Sequence, residues 1–118
     1  MDLSEKQKML TGQLYRATCP VLQAEQIANK HWMQRYNDSA ELLNEPRHEL
    51  LQGHFARVGA DAVIRPPFYC DYGYNIDLGA RVFMNFNCVI LDVCPASIGD
   101  DCQIGPAVQI YTADPVSY

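Results

Sequence analysis

The sequence is short of most features that mark a nucleic-acid binder, a membrane protein or a disulfide-stapled domain. Lys and Arg total 9 against 14 Asp and Glu, a formal net charge of −5 with a pI near 4.9. That balance argues against nucleic acid or an anionic membrane surface as a partner. No run approaches the roughly 18 consecutive apolar residues of a membrane span, so no membrane partner is expected. The opening MDLSEKQKML lacks an apolar h-region and does not read as a secretory signal, so a cytoplasmic protein is expected. Histidine is scarce: His31, His48 and His54 are the only three. There is no CxxC pair, and no histidine stands at ligand spacing to a cysteine, so no metal site is expected. The five cysteines therefore read as reduced thiols.

What the chain does have is a repeat of six, from Leu78 to Tyr111. Leu78, Met84, Ile90, Ile98, Ile104 and Ile110 lead successive units, with two extra residues between Ile90 and Ile98. Four residues after a leader come Val82, Cys88, Cys94, Cys102 and Val108, small or β-branched and apolar. A half-buried strand would alternate every two residues and a helix every three to four. A register of six with two inward positions is that of a hexapeptide β-helix, left-handed and parallel, whose faces are short strands. Gly79, Gly99 and Gly105 follow three leaders and are expected at corners needing unusual backbone angles. At three units per coil the stretch makes about two coils.

The preceding residues predict helices. Ser4 with Gln7 reads as a capping box, opening a helix that carries Met9, Leu10 and Leu14. Pro20 suits the first turn of a second helix over 21–36, with a stripe of Leu22, Ala24, Ile27, Ala28, Trp32 and Tyr36. Asn44 is expected to cap a third helix running to about Arg57, with Gly59 as its stop. The predicted class is therefore α+β, a helical layer over 1–58 capping the open end of the β-helix. Residues 59–77 read as a linker with a first strand, 78–113 as the β-helix and 114–118 as a tail. In the linker, Phe68, Tyr69, Tyr72 and Tyr74 crowd around Asp71. Aromatic faces with acceptors suit a sugar ring, and they equally suit sealing a first coil.

The stretches EKQKMLTGQLYRA (5–17), RPPFYCDYGYNI (65–76), MNFNCVILDV (84–93) and IGDDCQIGPAVQIYTA (98–113) resemble the maltose and galactoside O-acetyltransferases. That resemblance implies transfer of acetyl from acetyl-CoA, the co-substrate, to a sugar hydroxyl of the maltose, glucose or galactoside type. It also implies a homotrimer with sites between subunits. Asn85 matches the family's asparagine that holds the acceptor and the developing charge. Asp71 and Asp92 match positions at or beside the acceptor; each also reads as a solvated turn residue. The family's base is the histidine of a His-Pro pair, and here Asp114-Pro115 stands in its place. An aspartate is a poorer base than imidazole for this work. The family's aspartate after the first helix is also replaced, by Ala17-Thr18-Cys19-Pro20. His31, His48 and His54 are expected at the surface of the helical layer. With later coils missing, the chain reads as a shortened member lacking a coenzyme site. The alternatives are a non-catalytic paralogue acting as a trimer-interaction module, or a sugar-binding module.

Overall fold

The computed structural model describes residues 3–39, 41 and 43–112; the expected site position Asp114-Pro115 lies outside them. Three helices lead: α1 (Glu5–Leu10), α2 (Pro20–Asn37) and α3 (Asn44–Gln52). The Ser4 box forms as the sequence predicts, with Gln7 N–H donating to Ser4 Oγ at 3.0 Å and Ser4 N–H to Gln7 Oε1 at 2.8 Å. Pro20 occupies the first turn of α2, where its missing N–H costs nothing. The third helix differs from expectation. Leu43 is its cap, Asn44 lies inside, and it stops at Gly53, because Arg57 and Val58 are already in a strand.

Nine short strands follow: β1 (Arg57–Val58), β2 (Val63–Ile64), β3 (Phe68–Cys70), β4 (Ile76–Leu78), β5 (Phe83–Met84), β6 (Cys88–Leu91), β7 (Ala96–Ile98), β8 (Gln103–Ile104) and β9 (Gln109–Tyr111). They form three parallel three-stranded sheets, ordered β1-β4-β7, β2-β5-β8 and β3-β6-β9. The chain thus climbs through one strand of each sheet per coil, and the described residues make three coils, the expected two from Leu78 onward and one before them. Residues 59–77, expected as a linker, are most of the first coil, in register with the second: Val58 pairs with Leu78, Ile64 with Met84 and Cys70 with Ile90.

That register corrects two readings of the repeat. The two extra residues between Ile90 and Ile98 are matched one coil below by the same enlarged corner between Cys70 and Leu78. Ala96, paired with Ile76, therefore takes the small inward slot. Cys94 sits in the corner instead, its thiol donating to Met9 O at 3.1 Å. The glycines also act differently. The left-handed corner angles fall at Asp61, Arg81 and Asp101, stacked one per coil, at Asn87 and Ala107, and at Gly73 in the enlarged corner. Gly79 is needed for close stacking: a Cβ there would lie 2.5 Å from Asp100 Oδ1 and 2.6 Å from Asp100 N.

The second-coil leaders Leu78, Met84 and Ile90 are fully buried, each worth about 1.5–3 kcal/mol of apolar burial. Ile98, Ile104 and Ile110 are half-buried in the coil above, where Cys102 is exposed. At the other end α2 covers the first coil. Asn37 Nδ2 donates to Phe68 O at 3.0 Å and its Oδ1 accepts Phe68 N–H at 2.7 Å. Cys70 N–H reaches Met33 Sδ at 3.4 Å. These side chains complete the open edge of β3, which would otherwise leave peptide groups bare. The buried face of α2 is accordingly Leu22, Asn29, Trp32 and Tyr36. Ala24, Ile27 and Ala28 of the expected stripe are exposed.

Candidate functional site

The enlarged corner after β3 is held from above by one carboxylate. Asp92, fully buried, accepts the backbone N–H groups of Asp71 (3.0 Å) and Tyr72 (2.9 Å) on Oδ1. Its Oδ2 takes those of Gly73 (2.7 Å) and Asn75 (3.3 Å). Asn75 returns a bond from Nδ2 to Asp92 O at 2.8 Å. Four N–H groups converging on a carboxylate form a charge-assisted nest. Burial pushes the Asp92 pKa up, while the bonds from Tyr72, Gly73, Asn75 and Asp71 pull it down. The solvated-turn alternative is excluded for Asp92. Both its oxygens are engaged on backbone N–H groups.

Asp71, on the segment that Asp92 pins, is half-buried. Burial, reinforced by the charge of Asp92, raises its pKa to about 6. Its N–H goes to Asp92 and its C=O to Asn29, and its carboxyl has no hydrogen bond or ion pair among the described residues. It can therefore serve as an acceptor for a ligand hydroxyl.

Asn85 stands at the corner between β5 and β6. Its backbone N–H donates to Ile104 O at 3.0 Å, and its Oδ1 accepts Phe86 N–H at 2.8 Å. Since a backbone N–H can only donate, the amide orientation is fixed, and Nδ2 is left unbonded among the described residues. The oxygen of Asn85 serves the local backbone, and its nitrogen remains an available donor. One chain does not bring Asn85 and Asp71 together, because they occupy different corners with the β3-β6-β9 sheet between them. Neither of two surface hollows joins the two corners. One of 530 Å³ is lined by Glu45, His48 and Asp61 among others, and one of 390 Å³ flanks Asn85 through Phe83 and Phe86.

Two of the three histidines depart from expectation. His31 is exposed, while His48 and His54 are half-buried. His48 Nε2 pairs with Gly59 O at 3.0 Å. His54 stacks on Trp32 with ring centroids 4.3 Å apart and planes at 13°, and its Nε2 bonds Asn29 Oδ1 at 2.8 Å. Burial lowers its pKa to about 4, opposed by a backbone bond at Tyr72. Sequence reasoning missed Asn29 and His54. The polar Asn29 reads as solvent-facing on a helix, and its partners lie 41 and 42 residues away. Among the described residues no group of His, Cys, Asp and Glu is placed to hold a metal ion, and no helix is long and apolar enough to cross a membrane.

The helix-capped parallel coil is a fold shared with solved hexapeptide-repeat acetyltransferases. Residues 8–59 match the model of the maltose acetyltransferase hexapeptide capping motif. Nodulation protein L of Rhizobium meliloti is 53% identical over 114 residues, covering 97% of this chain and 62% of that protein. A maltose O-acetyltransferase of Clostridium difficile superposes with a TM-score of 0.91 at 38% identity, over 97% of this chain and 62% of that one. A galactoside acetyltransferase solved with coenzyme A gives 0.88 at 32% identity, over 98% and 58%. Through these matches the chain is similar to the maltose and galactoside O-acetyltransferases, and it spans about three-fifths of the length of these relatives.

Proposed function

We propose that the chain supplies the acceptor side of an acetyltransferase that moves acetyl from acetyl-CoA to a sugar hydroxyl, of the maltose, glucose or galactoside type. The observation that carries the reading is Asp71: a carboxyl without a bond of its own, on a segment whose peptide groups are clamped on both sides. Such a group receives a sugar hydroxyl at fixed geometry. Asn85 Nδ2, oriented by the Phe86 bond, donates to the acceptor oxygen or to the charge that develops on the acetyl carbonyl.

Because Asp71 and Asn85 sit at separate corners, the complete site is built between copies of the chain in a homotrimer, on a left-handed coil. The outer face of the β3-β6-β9 sheet supports this assembly. Tyr69 and Tyr111 are exposed there, with Val89 and Leu91 half-buried beside them. Acetyl-CoA enters as co-substrate, as the relative solved with coenzyme A suggests. No described histidine is placed as a base, since His48 and His54 are bonded into the helical layer and His31 is on its surface.

The test is thiol release from acetyl-CoA by the chain, with glucose, maltose and a galactoside as acceptors. Acceptor-dependent release that falls on the order of 100-fold in kcat in Asn85→Ala supports the proposal. No release above background from folded trimer would leave a non-catalytic module.

A further inference from the structure

We propose that Asn29, with its amide oriented by His54, is the positioning residue for Asp71, so that helix α2 is part of the acceptor site and not only a cap. This rests on assigning Asp71 to the acceptor. Asn29 is 1% exposed in the middle of α2, an unfavourable place for a carboxamide unless every polar atom is bonded. Here every one is. Nδ2 donates to Cys70 O at 2.8 Å and Asp71 O at 2.9 Å. Oδ1 accepts from His54 Nε2 at 2.8 Å and Cys70 Sγ at 3.3 Å. Two donors and two lone pairs are the whole capacity of the group.

The chemistry leaves no freedom in the arrangement. Two carbonyl oxygens can only accept, so the nitrogen of Asn29 faces the β3 end and its oxygen faces His54. His54 must then carry its proton on Nε2. The ring cannot swing away, because Trp32 stacks on it and the backbone of Gly73 lies against it, so close that a Cβ on Gly73 would fall on its Cδ2 and Nε2. Asp71 is thereby gripped through its N–H by Asp92 from the coil above and through its C=O by Asn29 from the helical layer. With both flanking peptide planes fixed, the direction of its Cα–Cβ bond is fixed. Only the carboxyl can still turn.

Other side chains at position 29 fail for identifiable reasons. A carboxylate would set oxygens against the Cys70 and Asp71 carbonyls, an apolar residue would leave both carbonyls bare, and Gln would be one methylene too long.

The test compares the chain with its Asn29→Ser, His54→Phe and His54→Gln variants. His54→Phe keeps the stack on Trp32 but removes the N–H, and His54→Gln returns an N–H. The Asp71 carboxyl is titrated by 13C NMR, and acceptor KM and kcat are read by thiol release. The expected result for Asn29→Ser and His54→Phe is a midpoint moved from about 6 toward 3.8. Acceptor KM should rise roughly tenfold, the loss of about one buried hydrogen bond. The change in kcat should stay within about twofold, and His54→Gln should restore both. If Asn29→Ser does not fold, the contrast between the two His54 variants decides. An unchanged midpoint and KM in folded His54→Phe would overturn the proposal. A moved midpoint in a chain whose wild type releases no thiol would keep the positioning role and sink the transferase reading instead.

Discussion

Asn37 pairs with Phe68 as though it were a residue of a neighbouring strand. Its amide accepts the Phe68 N–H and donates to the Phe68 carbonyl, the exchange a further β-strand would make on that edge. A helix thus ends a sheet by offering side-chain amides in place of backbone. Replacing Asn37 by Ala should destabilise the fold by about 2 kcal/mol, because both groups of Phe68 lose their partners at once. Urea unfolding checks the magnitude. Hydrogen exchange should show the loss at β3 first, and uniform loosening would argue against this picture of the cap.

Asp92 offers a second measurement. Asp92→Ala leaves four backbone N–H groups without an acceptor, at a cost on the order of 3 kcal/mol or more. Asp92→Asn should be no mild change. The new amide nitrogen must face at least one N–H, donor against donor. Thermal unfolding that finds the Asn variant within a few tenths of a kcal/mol of wild type would contradict the nest.

The dependence of stability on pH follows from two groups acting in opposite directions. Asp71 has a folded pKa raised from 3.8 to about 6, so its contribution is full below 3.8 and is lost as pH rises through 6. His54 has a folded pKa lowered from 6.5 to about 4, so its contribution is full above 6.5 and is lost as pH falls through 4. Between pH 4 and 6 the two slopes oppose. Relative to wild type, Asp71→Asn should gain stability with rising pH across that window, and relative to Asp71→Asn the double variant Asp71→Asn/His54→Phe should lose it. Unfolding free energies at several pH values test both signs, and equal slopes in all three proteins would count against both assignments.

Glycine stacking gives a paired test. Gly79→Ala drives a methyl into Asp100 and the backbone of the next coil, which overpacking of this kind makes costly by about 1–3 kcal/mol. Gly99→Ala, one coil up in the same sheet, meets nothing within 4 Å and should leave the stability of this chain nearly unchanged. Equal effects at the two positions would refute close stacking as the reason for Gly79.

The repeat was readable where its leaders were aliphatic. Leu78, Met84 and Ile90 kept a register of six that no plain strand or helix produces, and the second coil stands where they placed it. The first coil escaped because Cys70 is not an obvious leader and because Arg57 and Val58 read as the end of a helix. Its enlarged corner also looked like a linker until the same corner appeared one coil higher. Asn85 and Asp71 were singled out through motifs, yet what holds them was not legible. Asp92 looks like any turn aspartate, and Asn29 looks like a surface residue on a helix whose exposed Ile27 looks like core. Periodicity reports which face is apolar. It cannot report a face that is polar because it meets the edge of a sheet.

The Asp92 nest ties the candidate acceptor residue to the order in which the chain is made. When residues 71 to 75 leave the ribosome, the residues of the helical layer have already emerged, but the four N–H groups of that corner have no carboxylate to bind. Their acceptor arrives only with residue 92. A nascent chain stalled before that point would carry Asp71 without holding it in place, so the acceptor corner is completed by synthesis of the coil that follows it.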